Sequence, residues 1–80
     1  MWRKISLKNS RGEDVIDKNG IPVTAVYVGD NKFECRGEIM RTSPLAKKYL
    51  NMYAGMNLTT VNGNEYWYFN GQKLTQLRKN

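Results

Sequence analysis

The sequence predicts a small α+β domain: an antiparallel β-meander packed by one amphipathic helix, with a further aromatic strand near the C-terminus. Three observations support this prediction. Short segments rich in β-branched residues alternate with Gly and Asn turns between residues 22 and 41, and a helical pattern of apolar residues follows Ser43. Four consecutive aromatic residues, 66–69, then lie between two Asn-Gly pairs. Eighty residues make one domain, residues 1–80.

Residues 1–21 are predicted to form an N-terminal strand and loop. Apolar and polar residues alternate over residues 4–8, which is typical of a short strand. A polar loop follows at residues 9–14, and Asn19-Gly20 is a turn signal.

The meander is predicted over residues 22–41. Residues 22–28 are rich in β-branched side chains and open with a proline, which is tolerated at the first position of a strand. Residues 29–31 predict a tight turn into residues 32–36, where apolar and charged residues alternate. Gly37-Glu38 then turns the chain into a third strand at residues 39–41.

Ser43-Pro44 predicts the start of a helix, because Ser is a preferred N-cap and Pro is favoured at the first helical position. The helix is predicted to run to about Tyr53 and to end near Gly55, a natural C-terminal cap. Its apolar arc is predicted to pack across the meander and comprises Leu45, Ala46, Tyr49, Leu50, Met52 and Tyr53.

The aromatic strand is predicted at residues 66–69, bounded by positive-φ turns at Asn62-Gly63 and Asn70-Gly71. Residues 56–60 are predicted to be an irregular link, and residues 74–78 a last extended segment or one helical turn. Side chains alternate along a strand, so one aromatic pair faces the core. The other pair either covers a sheet edge or the flank of the helix, or stacks on nucleic-acid bases. The candidate stacking residues are Tyr66, Trp67 and Tyr68.

Positive charge is concentrated in the second half of the chain. Residues 1–40 contain seven Lys or Arg against six Asp or Glu, whereas residues 41–80 contain six against one. This imbalance predicts an anionic partner, nucleic acid first, and the alternative is ordinary solvated lysines. The candidate phosphate contacts are Arg41, Lys47, Lys48, Lys73, Arg78 and Lys79.

Catalysis and metal binding find no support in the sequence, so we predict that the protein is not an enzyme and needs no cofactor. The chain has no His and a single Cys, Cys35, which is predicted to be a small buried hydrophobe. The acidic residues lack a ligand spacing and are predicted to be solvated charges; the ones considered were Asp14, Asp17, Asp30 and Glu34. No long apolar run or signal-peptide core is present, and the lone Cys fits a reducing cytoplasm, so no membrane partner is predicted.

In combination, these segments resemble the restriction-enzyme adenine methylase-associated domain, called RAMA, and its short bacterial and phage relatives. The resemblance covers about residues 22–78. Its individual motifs are common, and the resemblance depends on their order and spacing together. The matching segments are Val26-Tyr27-Val28-Gly29-Asp30, Phe33-Glu34-Cys35-Arg36-Gly37, Thr42-Ser43-Pro44-Leu45-Ala46, Val61-Asn62-Gly63 before Tyr66-Trp67, and Leu74-Thr75-Gln76-Leu77-Arg78. The resemblance implies an accessory role beside a DNA-modifying or restriction protein.

The sequence therefore predicts a small nucleic-acid-associated binding module that acts on duplex DNA through its basic C-terminal half. It would stand alone or serve a DNA-modification, restriction or mobile-element system. The alternative is a protein-binding adaptor or inhibitor, encoded by a phage or mobile element, that uses an exposed aromatic patch. A third interpretation is a domain that normally forms part of a longer chain.

Overall fold

The computed structural model describes residues 4–77 and has the predicted α+β architecture, with one six-stranded antiparallel sheet and one main helix. The strands are β1 (Lys4–Leu7), β2 (Thr24–Gly29), β3 (Lys32–Cys35), β4 (Glu38–Met40), β5 (Trp67–Phe69) and β6 (Gln72–Lys73). The helices are α1 (Thr42–Tyr53) and the single turn α2 (Leu74–Leu77), and a 3₁₀ turn spans Gly63–Glu65.

The strands lie in the order β4-β3-β2-β1-β5-β6. The predicted meander is confirmed as β2, β3 and β4, joined by tight turns. The aromatic strand β5 pairs with β1, with Leu7 opposite Trp67, and so places β1 in the middle of the sheet. The two-residue strand β6 was not predicted, because it is too short for an alternating pattern.

The positive-φ turn predicted at Asn70-Gly71 is confirmed, and so is the tight turn predicted at residues 29–31. Asp30 and Asn31 have φ of 54° and 59°, and Asn70 and Gly71 have φ of 54° and 79°, as hairpin turns require. The prediction for Asn62-Gly63 is wrong. The side-chain oxygen of Asn62 accepts the backbone N–H of Asn64 at 3.1 Å and caps the 3₁₀ turn instead.

Helix α1 begins at Thr42 with Arg41 as N-cap, so the prediction that Ser43 caps the helix is wrong. The Ser43 hydroxyl accepts the backbone N–H of Gly63 at 3.0 Å and ties the 3₁₀ turn to the helix start. The predicted end at Tyr53 is confirmed, and Gly55 follows with φ of 70°.

The core lies between α1 and one face of the sheet. Helix α1 contributes Leu45, Ala46, Tyr49 and Leu50, which are four of the six residues in the predicted apolar arc. Tyr53, also in that arc, is partly buried against the core. Met52 was predicted in that arc but is 51% exposed, because the buried stripe of α1 is narrower than the arc. The remaining buried apolar residues are Ile5, Leu7, Val15, Val23, Ala25, Cys35 and Trp67.

The other face of the sheet is covered by no helix among residues 4–77, and we call it the helix-free face. Its residues alternate with the core residues along each strand. Strand pairing places Lys4 opposite Val26, Ser6 opposite both Thr24 and Tyr68, and Tyr68 opposite Lys73. Lys73 and Tyr68 therefore lie on this face, opposite α1.

The connection between β1 and β2 is more ordered than a polar loop. Val15 and Val23 are buried, and the Asp17 side chain, only 3% exposed, binds Arg36 at 2.7 Å between Nη1 and Oδ2. The other Asp17 oxygen accepts the backbone N–H groups of Asn19 and Ile21. The prediction that Asp17 is a solvated charge is therefore wrong, because this carboxylate closes a turn and pairs with β3's end.

Candidate nucleic-acid interface

Among the predicted site residues that the structure describes, those on the exposed side of α1 have the least compensated positive charge. Arg41 is exposed at the N-cap, and Lys47 is exposed on the solvent side of the helix. Neither takes part in an ion pair among residues 4–77. The surrounding sequence, residues 39–64, contains no Asp or Glu. These two cations are therefore free to contact an anionic partner.

Lys48 differs from Lys47 because an acidic residue outside the helix neutralises it. Its ammonium pairs with the carboxylate of Glu38 in β4 and lies 5.5 Å from the ring centroid of Tyr49. The same ammonium is the main cause of the lowered pKa of Glu38. Lys48 was predicted as a phosphate contact, but much of its charge is balanced within the domain.

Lys73 is both paired and separated from the helix cations. Its ammonium binds Glu65 at 3.2 Å between Nζ and Oε1. Lys73 lies on the helix-free face, so the sheet separates it from Arg41 and Lys47. The predicted candidates do not form one basic surface: among the four described, three lie on α1 and its N-cap. Arg78 and Lys79 lie outside the described residues.

The three predicted stacking residues differ in how deeply they are buried. Trp67 is completely buried, and its indole Nε1 donates to the backbone oxygen of Thr42, so the prediction that it stacks on bases is wrong. Tyr66 and Tyr68 are half-buried and border a shallow hollow of about 150 Å³ on the helix-free side. The hollow is also lined by Asn9, Ser10, Glu65 and Lys73. Its volume is below the roughly 300 Å³ at which ligand pockets begin.

Lys8 is a member of this second cluster that was not predicted. Its ammonium lies 5.5 Å from the ring centroid of Tyr68 and also binds Asp14 at 2.8 Å. The alternation of residues 4–8 already placed Lys4 and Lys8 on one side of β1 and could have drawn attention to them. The cations at the hollow are each balanced by a carboxylate, so this side has little net charge to offer a nucleic acid.

Burial shifts the pKa of two ionisable side chains in the core, Cys35 and Tyr49. Burial raises the pKa of the Cys35 thiol, and burial, followed by the nearby Cys35 and Glu38, raises the pKa of Tyr49 to about 12. Both side chains therefore remain protonated at neutral pH, and Cys35 packs as the small buried hydrophobe that was predicted. No group of acidic, Cys or His residues within residues 4–77 is arranged to hold a metal ion.

Comparisons with protein-family models, curated proteins and solved structures give no match to this chain. The resemblance to the RAMA domain therefore stays a prediction. Within residues 4–77, neither helix has the length and apolar character needed to cross a membrane.

Proposed function

We propose that this domain is a small nucleic-acid-associated module that binds DNA through the exposed side of α1. The observation behind the proposal is that Arg41 and Lys47 are exposed, form no ion pair with another of residues 4–77, and lie on a stretch without acidic residues. The chain as a whole has a net charge of +6, so an anionic polymer is attracted before any contact forms.

The two cations would contact phosphate oxygens rather than base edges. Phosphate contacts fix position without reading sequence, and each one releases counterions from the DNA. Two contacts would contribute a slope of about −1.8 to the dependence of log K on log salt concentration. The expected binding is therefore weak, salt-sensitive and largely independent of sequence.

Weak binding of this kind suits an accessory role. A module with few phosphate contacts adds affinity to a partner that does the chemistry, through an increased local concentration. The resemblance to the RAMA domain supports the same role in a DNA-modification, restriction or mobile-element system. The cytoplasm is the compartment that we propose, since the single Cys is unpaired and buried.

The test is a titration of labelled duplex DNA at low salt with a matched pair of double variants. Arg41→Gln combined with Lys47→Gln removes the proposed contacts. Arg11→Gln combined with Lys18→Gln removes the same charges from exposed positions in the β1–β2 connection. The first double variant is expected to weaken binding and to reduce the salt slope by about one unit per lost contact.

Equal losses in the two double variants would show that net charge alone attracts DNA and would refute the α1 interface. No binding by the unmodified protein at tens of micromolar would refute the proposed function. A protein partner that is retained after nuclease treatment and at high salt would favour the adaptor alternative instead.

A further inference from the structure

Exposed apolar side chains occur in several places, including the β1–β2 connection and α1, and two of them, Val26 and Ile39, lie close together on the helix-free face. Val26 in β2 is 44% exposed, and Ile39 in β4 is 55% exposed. Val28 is 45% exposed and lies where the register of β2 against β3 shifts, between Tyr27 and Gly29. Strand pairing places Glu34 between Val26 and Ile39 on the same face. Clustered exposed apolar residues on a small protein are typical of an interaction surface.

Two charges flank Val26 in a row that crosses the sheet. Lys4 in β1 lies opposite Val26 on one side, and Glu34 in β3 lies opposite it on the other. Neighbouring strands are about 4.8 Å apart, so the two charges are nearly equidistant from Val26. Neither Lys4 nor Glu34 forms an ion pair with another residue in the described range 4–77.

This row is complementary to itself. A two-fold axis that runs along the strands at Val26 would turn a second copy over and exchange the two sides of the row. Lys4 of each copy would then meet Glu34 of the other, and the two Val26 side chains would meet at the axis. A two-fold interface is formed by the same patch on both subunits, so the patch must be complementary to itself. This row meets that condition, because opposite charges face each other and the apolar Val26 side chains face each other.

We propose that the helix-free face is a homodimer interface in which two copies of this chain pack sheet against sheet. Aligned sheets pack about 10 Å apart with interdigitated side chains, and the exposed residues of β2 and β4 would fill that layer. Helix α1 lies on the opposite face of each sheet, so the dimer would leave both α1 surfaces accessible.

The interface would be small. Six strands span about 24 Å across the sheet, and each contains only two to six residues. The face of such a sheet has a smaller area than the roughly 800 Å² that each partner buries in a standard interface. We therefore expect a dimer that dissociates on dilution in the micromolar range or above.

Sedimentation equilibrium of the full chain, without nucleic acid, over a range of concentrations tests the proposal. Lys4→Glu replaces two attractive Lys–Glu contacts by two repulsive ones and is expected to weaken the dimer about tenfold. Glu34→Lys is expected to do the same, and the combined exchange is expected to restore dimerisation. Lys18→Glu makes the same charge change in an exposed turn outside this face and serves as the control.

Circular dichroism of each variant shows whether it is folded. If a charge variant unfolds, Ile39→Asp tests the same face at an exposed position on the edge strand, with monomers expected. A protein that stays monomeric up to millimolar concentration would overturn the proposal and leave the apolar residues to a different partner. A dimer that tolerates both single charge changes would overturn the assignment to this face. Either result is independent of DNA binding.

Discussion

The indole nitrogen of Trp67 donates a hydrogen bond to the backbone oxygen of Thr42, 3.0 Å away. This contact links the aromatic strand β5 to the first turn of α1, across 25 residues of sequence. The indole ring is completely buried in the core, and its only polar atom has a partner. The most aromatic part of the chain thus fixes the start of the helix that presents Arg41 and Lys47.

Trp67→Phe is expected to lower the free energy of unfolding by about 1–3 kcal/mol, because the hydrogen bond is lost and the smaller ring leaves space in the core. Chemical denaturation followed by far-UV circular dichroism measures the change. The comparison variant is Tyr68→Phe on the half-buried helix-free side, for which less than about 0.5 kcal/mol is expected. Equal effects in the two variants would contradict the structural role of Trp67.

Gly63 is expected to tolerate no side chain. A Cβ at this position would overlap the backbone of Thr42 and Ser43, and backbone atoms cannot move as a flexible side chain can. Gly63→Ala is therefore expected to destabilise the fold by about 1–3 kcal/mol or more, measured by thermal unfolding.

Gly12→Ala separates this overlap from the general cost of replacing glycine. A Cβ at Gly12 meets open space, and the substitution costs only the left-handed conformation at φ of 80°, about 1–2 kcal/mol. If Gly63→Ala proved milder than Gly12→Ala, the close packing of the 3₁₀ turn against α1 would be refuted.

The elements that the sequence predicted well depend on local chemistry. The meander follows from alternating residues and from Asp30-Asn31, whose short polar side chains tolerate positive φ. The end of α1 at Tyr53 follows in the same way from Gly55. These signals lie within a few residues of the structure that they determine, so one sequence is sufficient to read them.

The errors at Ser43 and Asp17 concern contacts between residues far apart in sequence. Ser43 resembles an N-cap, but its hydroxyl is used by Gly63, 20 residues away. Asp17 resembles a solvated turn residue, but Arg36, 19 residues away, binds it. No local pattern reports such partners, because they depend on how the finished elements pack.

In the candidate site, too, local features were predicted correctly and contacts between distant residues were not. The helical pattern correctly placed Lys47 on the exposed side of α1. It could not show that Glu38 neutralises Lys48 or that Glu65 neutralises Lys73, since each acidic partner lies on a different element. A count of charges along the chain therefore overstated the positive surface.

Asp17 is expected to make the stability depend on acidic pH. Backbone N–H bonds, led by that of Ile21, and the Arg36 guanidinium hold the pKa of Asp17 below its usual value. A group with a lower pKa in the folded state stabilises the fold above its unfolded pKa, and that stability is lost as pH falls through the folded value. The Asp17 contribution should therefore be complete above about pH 5 and decline below about pH 4.

Urea unfolding of the protein and of Asp17→Asn between pH 3 and pH 7 measures this contribution. The difference in unfolding free energy is expected to be constant near neutral pH and to shrink as pH falls below about 4. Asp30→Asn removes a carboxylate from an exposed turn position that suits Asn and controls for the change in net charge. If the difference in unfolding free energy between the protein and Asp17→Asn did not vary with pH, the Asp17–Arg36 pair could not be the source of the pH dependence.

Asn51 is expected to fix the link that follows α1. Its side-chain amide donates to the backbone oxygen of Leu58 at 3.0 Å, and its side-chain oxygen accepts the Leu58 N–H at 2.8 Å. Asn51→Ala leaves both Leu58 groups without these partners and is expected to cost about 1–3 kcal/mol of unfolding free energy. Limited proteolysis should then cut within residues 55–61 faster than in the unmodified protein.

Asn51→Asp is the informative intermediate, because a carboxylate still accepts the Leu58 N–H but cannot donate to the Leu58 oxygen. Its proteolysis rate should lie between those of the unmodified protein and Asn51→Ala. Met52→Ala, an exposed substitution one residue along the helix, should leave the link protected. If Met52→Ala exposed the link as much as Asn51→Ala, general weakening of the helix end would explain the cleavage, and the two hydrogen bonds to Leu58 would not be what holds residues 55–61 in place.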